Sequence, residues 1–251
     1  LWNARHPDAR ITATEDKAIW SALREAMQDV CRTEECWLRQ QFAKNKVGTD
    51  ISTYTFAPRA PRSWIKNPRE WLNSLDIERV MRQYERKHRN FVFIGPSPID
   101  FDTQLQHDVC VWEELCKFDL ARLMAKGKNA IGIIFNVDPH DKPGAHWVSM
   151  FIDTRRGFII FFDSTGDPPQ HQVKTLIKRI QSQAAAAGLD FDTLINKAPH
   201  QLQNTECGIY SLYLITELLQ GTKTPEDFLH GRRIPDKEMF LLRDKFFNVG
   251  G

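Results

Sequence analysis

At 251 residues, with 41% hydrophobic and 26% charged side chains, the chain has the composition of a globular protein that buries a real core, in one large domain or two small ones. A net charge of +2 excludes a strong bulk attraction to nucleic acid or to an anionic membrane, and the basic clusters at 86–90 and 231–234 read as solvated faces. No apolar run reaches the roughly 20 residues of a membrane span. The odd number of cysteines, five, argues against a complete disulfide framework and for a reducing, intracellular setting.

Residues 14–45 read as helix, with Thr14 as cap and Ile19, Leu23, Met27 and Val30 at helical spacing. The segment 52–68, with three prolines and no period, reads as an irregular arm. A second helix is expected to open at Asn67-Pro68, because proline is tolerated at a first helical position, with Trp71, Leu72, Leu75, Ile77, Val80, Met81 and Tyr84 as its apolar residues. "NFVFIG" (90–95) reads as a short strand or buried turn, and the stretch from Phe101 to Gly127 as one or two helices.

From residue 129 the pattern changes. "NAIGIIFNVD", "HWVSMFIDT" and "GFIIFFDS" are near-continuous runs of Ile, Val and Phe, as in strands covered on both faces. "QVKTLIKRIQSQAAAAG" is an amphipathic helix on Val173, Leu176, Ile177 and Ile180, stopped by Gly188. "FDTLINKAP" is a further strand, and "ECGIYSLYLITELLQG" is apolar around most of its circumference, as in a buried helix. Helices on a short central sheet make an α+β domain.

A tight turn within 153–157 folds the second of these strands back on the first and sets His146 opposite Asp163 or its neighbour, near enough for the carboxylate to accept the imidazole Nδ1–H. A slip of one residue would separate them, with Asp153 and Asp167 as other partners. Taken alone, the pair is more simply two solvated groups at strand ends. Cys207 stands where a polar loop turns into the buried helix, at the positive end of a macrodipole that favours thiolate, and Gly208 beside it leaves room for a substrate backbone. A lone cysteine is usually an inert buried thiol. A cysteine opening a helix, with a His-Asp pair elsewhere, is the nucleophile, base and orienter of cysteine hydrolases. His107, Cys110 and Cys116 fit no familiar zinc spacing, His140 and His146 make no better metal pair, and His200 has no obvious strand to hold it near Cys207.

His146-Trp147, Asp163, Gln201 and Glu206-Cys207-Gly208, in that order, together with "WLNS" (71–74), resemble the ubiquitin-like-protein (SUMO) protease and adenovirus-protease clan. The likeness covers about 129–220, with "WLNS" as an outlying piece. It implies a papain-like core with a central mixed sheet flanked by helices. It also implies Cys207 as nucleophile, His146 as general base and acid, Asp163 as orienting carboxylate and Gln201 as oxyanion-hole donor. Trp71 and Trp147 would cover a narrow channel for a Gly-Gly backbone, and no metal or organic cofactor is called for. Ser74 departs from the clan's Asp at that position, which puts the local contacts of that helix in question.

"CRTEECW" and the Pro-rich arm resemble polyprotein-processing members from large DNA viruses, which carry an extra helical arm. The expected organisation is an arm over 1–60 and a protease core over 61–251. The expected partner is a polypeptide with a Gly-Gly-X site or a ubiquitin-like modifier, with no membrane and no indicated nucleic acid. The setting would be host cytoplasm, viral factory or virion for a maturation protease, and the nucleus for a SUMO protease. A chymotrypsin-like cysteine protease shares the His-Asp-Cys order, but its nucleophile lies on a β-barrel loop. A non-catalytic modifier- or scaffold-binding relative would have lost a triad residue, and all are present.

Overall fold

A mixed five-stranded sheet in the order β1-β2-β3-β4-β5 forms the centre of the chain: Phe91–Pro98, Ala130–Asn136, Trp147–Asp153, Phe158–Phe162 and Asp192–Ile195. The outer pairs, β1 with β2 and β4 with β5, are parallel, and the inner ladders are antiparallel. This computed structural model describes residues 1–31, 36, 37, 40 and 57–248. It divides into two compact units, Leu1–Arg59 with Asp244–Gly251, and Ala60–Arg243.

In the larger unit the strand pleat splits the apolar residues between two helices. Ile131, Ile133, Phe135, Val148, Met150, Ile152, Ile159 and Phe161 pack on one face with α6 (His171–Ala186), through the predicted Val173, Leu176, Ile177 and Ile180. On the other face lies α7 (Cys207–Gln220): a Cβ on Gly132 would come within 2.9 Å of Ile215, so glycine is what lets helix and sheet approach. Near-continuous apolar strands are the sequence's answer to a sheet covered twice. Gly221, in the left-handed region at φ 69°, ends α7.

Several boundaries differ from expectation. Helix α3 runs Ser74–Lys87, not from Pro68, because Asn73 and Asp76 form a reciprocal capping box. Ser74 is thereby the first helical residue, with Asn73 Oδ1 accepting from the Asp76 N–H. Trp71 stays outside the helix, and Leu75, one of its apolar residues, is exposed. The stretch after Phe101 holds two short helices, α4 (Glu113–Cys116) and α5 (Leu120–Ala125). Cys110 precedes α4 and is disulfide-bonded to Cys116, so neither sulfur is available to the metal set weighed with His107.

The smaller unit holds α1 (Trp2–Arg5) and α2 (Asp16–Met27), around a cluster of Met27, Cys31 and Trp37. The helix predicted over 14–45 stops at Met27, Thr14 does not cap it, and Val30 lies exposed. Residues 32–35, 38, 39 and 41–45 of that expectation lie outside the described residues, as do residues 52–56 of the predicted arm. Cys31 and Cys36 form a second disulfide, which leaves Cys207 as the unpaired cysteine of the five. The odd count argued only against a complete framework, and one cysteine is indeed left outside the two bridges. Two helices, α8 (Pro225–Leu229) and α9 (Asp236–Phe246), follow α7 in the chain.

Candidate active site

His146 directly precedes β3 and Asp163 directly follows β4. The ladder pairs Ser149 with Phe162 and Asp153 with Phe158, leaving Thr154–Gly157 as the turn. Continued outward, this register puts Val148 opposite Asp163, so His146 meets the aspartate diagonally and not directly across, as the sequence reading had it. The offset of two keeps both side chains on one face. The imidazole Nε2 lies 2.7 Å from Asp163 Oδ1. It is this nitrogen, not Nδ1, that meets the carboxylate. Nδ1 is then the nitrogen left for another partner.

Asp163 is held firmly. It is 1% exposed, and its Oδ1 also accepts from the backbone N–H of Thr165 at 2.9 Å and from Thr165 Oγ1 at 2.7 Å. The carboxamide of buried Asn196 clamps its backbone, accepting from the Asp163 N–H at 2.9 Å and donating to the Asp163 carbonyl at 2.7 Å. Asn196 follows β5, so the clamp fixes the aspartate to the neighbouring parallel strand. Nothing in the sequence pattern singles out Asn196 or Thr165.

Cys207, 2% exposed, is the first residue of α7. The helical ladder begins with Tyr210 N–H donating to the Glu206 carbonyl, so the N–H groups of Cys207, Gly208 and Ile209 precede it. Burial alone would lower the His146 pKa, but hydrogen bonds and charge from Asp163 and Cys207 outweigh it and raise it to about 10. Asp163 and Cys207 are thus the two groups whose hydrogen bonds and charge act on the imidazole.

Gln201 is buried in the loop before α7; its Oε1 accepts from Ser164 Oγ at 2.7 Å and its Nε2 donates to the Gln203 carbonyl. One amide hydrogen is thus engaged and one is uncommitted. Trp147 is buried and donates Nε1–H to the Leu72 carbonyl at 2.9 Å, whereas Trp71 is half-exposed. Both border a cleft of about 540 Å³, together with Pro96, Trp112 and His140. A Cβ on Gly208 would meet Leu72 Cβ at 3.0 Å. Glycine at this position lets the Trp71-Leu72 segment pack on α7.

The other histidines are otherwise engaged. His200 is buried, accepts from Ile234 N–H on Nδ1 and donates from Nε2 to the Phe228 carbonyl; burial lowers its pKa, and it is a structural crosslink. His140 pairs with Asp100 at 2.6 Å, away from Cys207 in the chain and partly exposed. Among the described residues no group of three or more His, Cys, Asp or Glu could hold a metal ion.

A papain-like cysteine peptidase is the class that this fold and this arrangement of thiol and imidazole bring together. Residues 122–248 match the Ulp1 protease family, C-terminal catalytic domain. The chain is 31% identical over 239 residues to protein R355 of Acanthamoeba polyphaga mimivirus, named as a thiol protease, with 93% of this chain and 75% of that one covered. It is 25% identical to the cysteine protease S273R of African swine fever virus (isolate Tick/Malawi/Lil 20-1/1983), over 96% and 92% of the two chains. The same protein from isolate Pig/Kenya/KEN-50/1950 is named a SUMO-1 cysteine protease. The crystal structure of the African swine fever virus pS273R protease superposes with a TM-score of 0.64 at 24% identity, covering 96% of this chain and 94% of that one. The chain belongs to the Ulp1 protease family and is a cysteine protease, with viral thiol proteases among its relatives.

Proposed function

We propose that this enzyme cleaves peptide bonds after glycine, at Gly-Gly-X sites, with Cys207 as nucleophile, His146 as general base and acid, and Asp163 as orienting carboxylate. The observation that carries the reading is the line from Asp163 through His146 to a thiol at the N-terminus of α7. A thiol beside an imidazole, at the first turn of a helix, is the setting in which cysteine hydrolases carry their nucleophile. The thiolate attacks the glycine carbonyl, the imidazolium protonates the leaving amine, and the acyl-enzyme is hydrolysed by water activated by the now neutral His146. Every atom needed comes from these side chains and water.

Gln201 is the proposed oxyanion donor, through the amide hydrogen that Gln203 does not take. Gln201→Ala should lower kcat by about 10²–10³ with a modest change in KM. A variant within a few-fold of wild type would make Gln201 a loop brace for Ser164 and leave the oxyanion to backbone N–H groups.

Trp71 and Trp147 are the proposed glycine filter. Their rings border the cleft, and Trp147 is tied by its indole N–H to the chain beside Trp71. Two indoles with a peptide between them leave no room for a side chain. Trp147→Ala should therefore admit alanine or serine where only glycine was cleaved, at a cost in rate, as read from a peptide library. An unchanged profile in Trp71→Ala and Trp147→Ala would return both residues to packing.

The proposed task is maturation of viral structural polyproteins, supported by the viral relatives matched over most of this chain. A region over 1–60 serves as an arm and 61–251 as the protease core in this reading. The name SUMO-1 cysteine protease, carried by the S273R protein of three African swine fever virus isolates, supports the second reading, a deconjugase for a ubiquitin-like modifier. A maturase reads a short extended stretch, whereas a deconjugase draws binding energy from a folded modifier. Short Gly-Gly-X peptides should be cleaved with kcat/KM within about tenfold of a whole protein substrate, and deletion of residues 1–60 should impair that cleavage. Efficient labelling by SUMO- or ubiquitin-derived electrophilic probes with negligible peptide cleavage would establish the deconjugase instead.

A further inference from the structure

Arg243 lies on α9, outside every motif that points to the chemistry, and is 2% exposed. A guanidinium is costly to bury unless its donors are met, and here they are. Its Nε donates to Glu206 Oε2 at 2.8 Å, one Nη donates to the Glu70 carbonyl at 2.9 Å, and the other approaches the Thr205 carbonyl at 3.4 Å. The guanidinium stands over the ring of Trp64, 4.6 Å from its centroid.

What these partners precede matters more than their number. Glu206 is wholly buried and is the residue before Cys207; Glu70 is the residue before Trp71. Thr205 Oγ1 donates to the other Glu206 oxygen at 3.1 Å, which leaves that carboxylate committed on both sides. One rigid, forked side chain therefore holds the start of the nucleophile helix and the start of the segment that carries a wall of the glycine channel. A lysine could supply the charge, but a single ammonium point cannot span both acceptors in a fixed plane.

We propose that Arg243 is a positioning residue that, through Glu206 and the Glu70 carbonyl, sets the spacing between Cys207 and Trp71 and thereby both the rate and the glycine selectivity of the enzyme. The inference rests on the site reading given above.

The test separates alignment from stability. Removing one partner of a buried ion pair strands the other, whereas replacing both by apolar residues of similar volume is often neutral or stabilising. The double variant Glu206→Met/Arg243→Met is expected to melt close to wild type. Its kcat/KM on a Gly-Gly-X peptide should nonetheless fall at least about tenfold, mainly in kcat, and its preference for glycine over alanine before the scissile bond should weaken. Arg243→Lys, which keeps the charge beside Glu206, should show the same two defects and serves where the apolar pair does not fold. A folded variant of either kind with wild-type kcat/KM and wild-type glycine preference would overturn the proposal and leave Arg243 a structural crosslink. A wild-type enzyme without glycine preference would overturn the reading on which it rests, and the proposal with it.

Discussion

Cys207→Ala should abolish hydrolysis of a glycine-ended fluorogenic peptide while leaving thermal melting close to wild type. The thiol sits at the first position of α7 beside His146, and the other four cysteines are paired, Cys31 with Cys36 and Cys110 with Cys116, which leaves Cys207 as the free thiol. Alanine fills most of the volume of a small buried side chain and is a good helix former, so the fold has little reason to notice. Loss of the nucleophile removes the covalent route, and what remains is the rate supplied by binding and oxyanion stabilisation alone. Residual turnover above a small fraction of a percent in the folded variant would remove Cys207 from the nucleophile's role.

Asp163 should show the next largest effect, and its two variants should differ. Asp163→Ala frees the imidazole to turn away and is expected to cost about 10²–10⁴ in kcat/KM. Asp163→Asn should cost much less. The Thr165 N–H and Thr165 Oγ1 both donate to the oxygen that receives His146 Nε2–H, so they would hold the amide oxygen, and not its nitrogen, toward the imidazole. Geometry and tautomer survive while the charge is lost.

The charge has its own signature. The His146 pKa of about 10 lies above its unfolded value, so the folded protein binds the proton more tightly. The resulting stability is fully present below about pH 6.5 and declines as pH rises through the folded value. Urea melts between pH 7 and 10 should record that decline in the wild type and a smaller one in Asp163→Asn. Equal pH slopes would mean that Asp163 does not hold the imidazolium.

The elements fixed by burial were the ones that could be read in advance. The apolar strands β2 to β4 and the Val173, Leu176, Ile177, Ile180 face of α6 stand where their periodicity puts them, because each has to cover or be covered by the other. Pro68 points to an earlier opening of α3 than the chain adopts, and the capping box in "NSLD" is the local signal that sets it at Ser74. Val30 belongs to a period that the chain abandons at Met27, and periodicity carries no stop signal of its own.

At the candidate site, the residue types were legible and the geometry was not. His146 and Asp163 meet by a diagonal that depends on a four-residue turn, and Nε2 rather than Nδ1 makes the contact. Asn196 and Arg243 act through backbone carbonyls and a buried carboxylate distant in the chain, contacts that no local spacing encodes.

A peptide ending in Gly-Gly and carrying a vinyl sulfone in place of the scissile amide tests the central claim in one step. The warhead is attacked only by an activated thiol, and the glycines lead it there only if the site reads them. Tandem mass spectrometry of the treated wild-type protein should find a single adduct on Cys207, abolished in Cys207→Ala and strongly slowed when the two glycines of the probe are replaced by alanine. Labelling of a different residue, or labelling of Cys207 indifferent to those glycines, would contradict the account.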